Sequence, residues 1–214
     1  MAVLTALAPD PRRPGYRVLE LDRGRFASLP DAAIQELRLA PGAVLAPELL
    51  ARLQHLADVE AAYRAAVRAQ TRRPHAVADL GRRLIQKQHP PAAVEAALER
   101  LTIQGLIDDR RFAEHFVATR GARGRAPARL VSDLLRQGLD RRTAEWAVRS
   151  ALAAEAIDVA STLRTVARRR AAQLLDLPIP ARRRRLLAYL SRRGYRGSEI
   201  RDLVDGLVGA GGGP

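Results

Sequence analysis

The sequence predicts a mostly α fold: tandem three-helix repeats of helix-turn-helix type in an elongated, curved array, with a small β-hairpin-containing extension at the N-terminus. Three observations lead there. Of the 214 residues 47% are hydrophobic but only 4% aromatic, so the core must be built from Leu, Ala, Val and Ile, which recur at 3.6-residue spacing over most of the chain. One set of apolar and turn positions recurs three times with the same internal spacings. Strand-like patterning is confined to a short stretch near the beginning.

Residues 1–15 carry Pro and Arg without periodicity and are expected to form a flexible arm. Tyr16, Val18, Leu19 and Leu21 then run into Asp22-Arg23-Gly24, with Phe26 and Leu29 beyond, which reads as a β-hairpin turning at the glycine. Pro30-Asp31 opens a short helix to about Leu39, and Pro41-Gly42 breaks it. From Pro47 to about Gln70, Leu49, Leu50, Leu53, Leu56, Val59, Tyr63 and Val67 form one apolar helical stripe. Residues 16–73 thus make an N-terminal unit of hairpin plus helices.

The repeat follows. Leu80, Leu84, Gln88, Val94, Leu98 and Leu101 share the spacings 4, 4, 6, 4 and 3 with Leu130, Leu134, Gly138, Ala144, Val148 and Ala151, and with Leu186, Leu190, Gly194, Ile200, Val204 and Leu207. Each set reads as a helix, a turn at Gln88, Gly138 or Gly194, and a second helix returning on the first. The intervening lengths add a further helix after the first pair, at 110–120, and after the second, at 154–175. The expected modules are 74–125, 126–180 and 181–209, followed by a Gly-rich tail at 210–214.

Between the first two sets lies GLIDDRRFAEHFVATR, residues 105–120. Gly105 ends one helix, Asp108 or Asp109 caps the next, Leu106 and Ile107 turn inward, and Phe112, Ala113, Phe116 and Val117 share one face. Full burial of Phe112 or Phe116 would make its replacement by Ala cost about 3–5 kcal/mol. Asp108 and Asp109 also suggest a metal or acid/base pair, but no His or third carboxylate at helical spacing completes one, and the capping reading is preferred.

The formal charge is +14 and the pI near 11.5, which points to an anionic partner: nucleic acid or an acidic protein surface ahead of lipid. The charge is uneven. Residues 1–119 hold 17 basic and 14 acidic side chains, whereas residues 120–214 hold 20 and 9. Lys87 is the only lysine, so the positive charge is almost all guanidinium, suited to bidentate pairing with phosphate or carboxylate. No apolar run reaches spanning length and no signal-peptide order is present, so a cytoplasmic protein without membrane contact is expected. There are no cysteines. His55, His75, His89 and His115 are scattered, and neither a phosphate-binding GxxxxGK[ST] nor a GxSxG occurs. No catalytic residue, metal or cofactor is expected.

The candidate binding residues are the arginine clusters of the second half. Arg120, Arg123, Arg125 and Arg129 flank Gly121 and Gly124; Arg168, Arg169, Arg170, Arg182, Arg183, Arg184 and Arg185 bracket the link to the last repeat; Arg192, Arg193 and Arg196 ring its turn. One such cluster is ordinarily a solvated helix face, but three in the basic half suggest a shared face that touches phosphates or an acidic groove by many weak contacts. Tyr189 and Tyr195 are the only rings nearby, which leaves little for base stacking.

The 105–120 motif, Pro127-Ala128-Arg129-Leu130, Leu134-Leu135-Arg136-Gln137-Gly138-Leu139 and Leu190-Ser191-Arg192-Arg193-Gly194-Tyr195 together resemble the RecX family, bacterial regulators of the RecA recombinase. Residues 16–45 also look like the β-containing extension of some members. The chain departs from the pattern at Gln88-His89-Pro90-Pro91, where the other repeats turn on glycine, and at Arg72-Arg73-Pro74-His75, where members often place a serine cap. The resemblance implies a non-enzymatic regulator that binds the RecA–DNA filament and inhibits recombinase, ATPase and co-protease activities in repair and the SOS response; a monomer that touches single- or double-stranded DNA weakly is expected. The alternative is a helix-turn-helix protein acting on naked DNA without RecA.

Overall fold

The computed structural model describes residues 2–22, 24–121, 124–154 and 158–209, and the chain divides into two compact units, Met1–Ile107 and Asp108–Pro214.

The first unit opens with strands β1 (Ala2–Pro9), β2 (Tyr16–Leu21) and β3 (Gly24–Pro30), followed by helix α1 (Asp31–Glu36) and the two-residue β4 (Val44–Leu45). They form a four-stranded antiparallel sheet in the order β3-β2-β1-β4. The hairpin of β2 and β3 pairs Leu21 with Gly24, and Asp22 takes the left-handed φ of 52° that such a tight turn requires. The expected arm is instead an inner strand. β1 escapes pattern reading because it is mostly Ala and Leu, with only Val3 and Thr5 β-branched, and because a bulge between Leu4 and Ala6 breaks its alternation. Leu4, Leu19, Leu29, Ile34, Leu39, Leu45 and Leu53 close one core over this sheet.

Leu53 belongs to α2 (Pro47–Arg72), a 26-residue helix that starts on proline. Its later part, Ala62 and Ala66, enters a second core with Leu80 and Leu84 of α3 (Val77–Gln86) and Val94, Ala97 and Leu101 of α4 (Pro91–Ile103). One helix therefore serves both the sheet and the first three-helix module. Glu60 of α2 joins them by charge as well. Its side chain is only 4% exposed and pairs with Arg13 at 3.0 Å and Arg100 at 2.5 Å, and Arg100 also donates to the Tyr16 hydroxyl at 3.2 Å. A carboxylate buried this far is tolerated only with such partners on both oxygens.

The second unit holds α5 (Asp109–Gly121), α6 (Pro127–Gln137), α7 (Arg141–Ala154), α8 (Val159–Ala172), α9 (Ile179–Arg192) and α10 (Ser198–Gly209). Each helix-turn-helix of the sequence repeat is present, as α3/α4, α6/α7 and α9/α10. The three turn positions share a left-handed backbone: Gln88 at φ 67°, Gly138 at 97° and Gly194 at 94°. The third helix of each module is the preceding one, however. α5 packs on α6 and α7, and α8 on α9 and α10, giving modules α2-α3-α4, α5-α6-α7 and α8-α9-α10 in place of the expected boundaries at 125 and 180. Repeat spacing locates the helix pairs, but the third helix joins whichever pair its apolar face meets. For α5 that face is Ala113 and Val117, both buried.

The 105–120 motif begins with Gly105 at φ 66°, where the Leu106 N–H donates back to the Leu101 carbonyl at 2.9 Å and closes α4. Asp108 Oδ1 accepts from the Arg110 and Arg111 N–H groups at 2.8 and 3.2 Å, capping α5. Phe112 and Phe116 are half-buried, with ring centroids 6.0 Å apart, so truncating either costs less than full burial implies, about 1–2 kcal/mol.

Candidate anion-binding interface

The second unit carries 22 basic and 12 acidic side chains, and its last two modules meet where the loop before α6 crosses the turn after α9. The Ala126 N–H donates to the Arg193 carbonyl at 3.0 Å. Gly194 comes so close to α6 that a Cβ there would overlap the Cβ of Arg129, and a Cβ on Gly124, at φ 71°, would press on Val166 of α8. The junction needs glycine at both positions, for backbone conformation and for space. Tyr195 is 6% exposed and belongs to the core of the third module; burial pushes its hydroxyl pKa up against the opposing charge of Arg193. It is not available for stacking on a ligand.

Two groups of arginines flank this crossing. On α6, Asp133 is buried, with 8% of its side chain exposed, and faces three guanidiniums: Arg125, Arg136 and, at 3.2 Å, Arg129. Arg129 and Arg136 stand four residues before and three after Asp133, one helical turn in each direction. Three cations on one carboxylate leave two positive charges in excess, held in place by a buried anchor. Arg125 and Arg129 are therefore fixed groups, 33% and 39% exposed, rather than mobile surface side chains.

The other group lines an open groove of about 660 Å³ between α8, α9 and the Gly124 loop, with Arg169, Arg170, Arg193, Ser161, Thr165 and Gln173 on its walls. Tyr189 forms part of the wall, with the Arg170 guanidinium 5.3 Å and the Arg193 guanidinium 4.8 Å from its ring centroid. The ring holds two like charges near each other through its negative faces. Arg170 donates to Gln173 Oε1 at 2.8 Å, and its buried Nε has no hydrogen-bond partner among the described residues. The groove thus gathers guanidinium, hydroxyl and amide groups, a set suited to phosphate or carboxylate oxygens.

The remaining arginine positions divide. Arg120 lies 4.7 Å over the Phe116 ring. Arg182 donates to the Leu177 carbonyl at 3.1 Å, and Arg183 makes a two-bonded pair with Asp205 at 2.5 and 3.1 Å. That pair fastens α9 to α10 and holds the Asp205 carboxyl below the usual range. Arg168, Arg184, Arg185, Arg192 and Arg196 are exposed. Arg123 lies outside the described residues. So Arg125, Arg129, Arg169, Arg170 and Arg193 come together at the junction, while Arg182 and Arg183 are engaged within their own module. Sequence reading missed Asp133 and Arg136. The signal was an Asp between Leu130 and Leu134 on the apolar side of α6 with arginines at i−4 and i+3. It also missed Ser161, Thr165 and Gln173, which only folding brings to the groove.

Among the described residues no helix is long and apolar enough to cross a membrane, and no three His, Asp or Glu side chains gather as metal ligands.

Comparison with known proteins agrees with the three-helix organisation. Residues 108–148 match the model of the second three-helix domain of RecX, and residues 158–204 that of the third. These spans begin one residue before α5 and α8 and end within α7 and α10. The chain is 34% identical over 145 residues to the regulatory protein RecX of Halorhodospira halophila, covering 66% of this chain and 85% of that one. It is 36% identical over 169 residues to that of Thermobifida fusca, covering 78% and 85%. A crystal structure of a regulatory protein RecX superposes with a TM-score of 0.71 over 96% of this chain and all of the other, at 18% identity. Domain models, relatives and fold converge, and the chain belongs to the RecX family of regulatory proteins.

Proposed function

We propose that this protein is a non-enzymatic regulator that binds the RecA–DNA filament and inhibits the recombinase, ATPase and co-protease activities of RecA, restraining recombinational repair and the SOS response. The observation that carries the reading is the junction of the last two modules, where Arg125 and Arg129 on their buried Asp133 anchor adjoin the groove of Arg169, Arg170 and Arg193. Fixed guanidiniums lose little side-chain freedom on meeting an anion, and several together give a contact with phosphates or acidic side chains that is strong at low salt and weak at high salt.

The test is DNA-dependent ATP hydrolysis by RecA with purified protein added at ratios up to equimolar. Inhibition is expected, with strand exchange falling in parallel. The triple change Arg169→Ala, Arg170→Ala and Arg193→Ala should relieve it and reduce the dependence of log K on log salt by about 2 to 3 if each arginine meets a phosphate. Absence of any effect on ATPase or strand exchange sinks the reading. A gel shift in which naked DNA is bound as tightly as RecA-coated DNA, with RecA unaffected, transfers the function to naked DNA.

A further inference from the structure

We infer a second nucleic-acid site in the same unit, on the outer face of α5 and α7, built to take a single strand by stacking on a guanidinium that an indole supports. Arg142, Trp146 and Arg149 occupy positions i, i+4 and i+7 of α7 and so share one face. α5 packs across that helix and brings Arg110 over it, with its guanidinium carbon 3.7 Å from the centroid of the Trp146 ring. These four side chains, with Asp140 and Thr143, line an open cleft of about 670 Å³. They come from two helices and share no residue with the groove at the module junction.

The chemistry favours a single strand. The Arg110 guanidinium carbon lies 3.7 Å over the centroid of the indole, and the residue as a whole is exposed, so the cation is both held by the ring and open to solvent. A flat guanidinium held in this way is a stacking platform for a nucleobase, with its edge N–H groups still free in direction for phosphate or base oxygens. Arg142 and Arg149, one turn to either side, then fall where the flanking phosphates of a strand would run. One carboxylate lines the cleft with them. Asp140 is occupied as a helix cap, its Oδ1 accepting from the Thr143 N–H at 2.9 Å. Glu145 lies 3.3 Å from Arg141 and 3.8 Å from Arg149. Of the groups that line the cleft, three arginines stand against one carboxylate, a net of two positive charges. A duplex hides its base faces and offers the platform nothing to stack on, whereas a single strand presents both phosphates and bases.

The site does not depend on RecA and its test can be kept apart from the preceding one. Trp146 is the only tryptophan, so intrinsic fluorescence reports this cleft directly. Full-length protein is titrated at low salt with an oligothymidylate of about 12 nucleotides, a typical length for such a site, and separately with the matching duplex. Saturable quenching by the single strand, with much less from the duplex, is expected. Arg110→Ala should weaken single-strand binding about tenfold, the loss of one stacked base. Arg110→Lys should lose nearly as much, because the charge remains but the flat platform does not. Thermal melts of both variants guard against unfolding. Arg169→Ala with Arg193→Ala should leave the quenching amplitude intact even where inhibition of RecA is lost. Equal quenching by duplex, or wild-type affinity in Arg110→Lys, overturns the proposal. Equal quenching by polyglutamate also overturns it and assigns the cleft to an acidic peptide.

Discussion

Replacing Gly194 by Ala probes the crossing that brings the two arginine groups together. At φ 94° an L side chain costs about 1–2 kcal/mol in backbone strain. The new Cβ would also overlap the Cβ of Arg129 and lie 3.4 Å from its Cα. The neighbour is the stem of the side chain and its backbone, which cannot swing away, so α6 or the turn after α9 must shift, at about 1–3 kcal/mol for overpacking of this kind. The expected loss is roughly 2–5 kcal/mol in total. Gly197 in the same turn supplies the control. It has φ 109° and no described residue within 4 Å of its Cβ position, so Gly197→Ala should cost only the strain of about 1–2 kcal/mol. Urea unfolding followed by Trp146 fluorescence reads the second unit. With a slope near 2 kcal/mol/M, a difference of about 2 kcal/mol between the variants separates their midpoints by roughly 1 M. Arg129→Ala should give no rescue, because the Cβ in the overlap remains. If Gly194→Ala is no less stable than Gly197→Ala, the close approach has no energetic weight and the junction is looser than argued.

Glu60→Gln keeps the shape of the buried anchor but turns an amide N–H₂ toward one of two guanidiniums; with charge-assisted bonds worth about 1.5–3 kcal/mol each, a loss of about 3 kcal/mol is expected, seen in far-UV circular dichroism with the Trp146 transition unmoved. Gln88→Gly relieves left-handed strain of about 1–2 kcal/mol at φ 67° against about 0.5–1 kcal/mol of added freedom in the unfolded chain. The thermal midpoint of the first unit should rise slightly, and a fall would contradict that balance. Asp79 has a carboxyl held below its ordinary value: burial raises it, but hydrogen bonds from Arg83 and His75 and their charges outweigh that. A lowered folded-state value contributes stability above the unfolded value and loses it as protons bind. The first unit should therefore be insensitive to Asp79 near neutrality and weaken as the pH falls through and below 3.8. Asp79→Asn should flatten that limb of an acid-unfolding curve.

The helix pairs and their turns were legible because their signals are local. Leu186, Leu190, Ile200 and Val204 face inward by spacing alone, and Gly138 and Gly194 stand where a left-handed turn is needed. The cap at Asp108 is equally local, since its acceptor reaches only the N–H groups two and three residues on. β1 was not legible. Its pairing partners lie up to 43 residues away, as Val44 and Leu45 do for Val3 and Ala2, and its own alternation is weak.

The sequence by itself determined a Leu- and Ala-built helical protein, three helix-turn-helix pairs, a basic second half made of arginine, and a motif sufficient to suggest the family. The tertiary structure decided which helix completes each module and which arginines lie together. Those outcomes rest on contacts between residues distant in the chain: Gly194 against Arg129, Arg193 beside Tyr189 and Gly124, and Arg110 on Trp146. A row of arginines in sequence fixes charge, whereas a binding site needs directions, and directions come only from packing, which leaves Arg183 tied to Asp205 and turns Arg193 toward the groove.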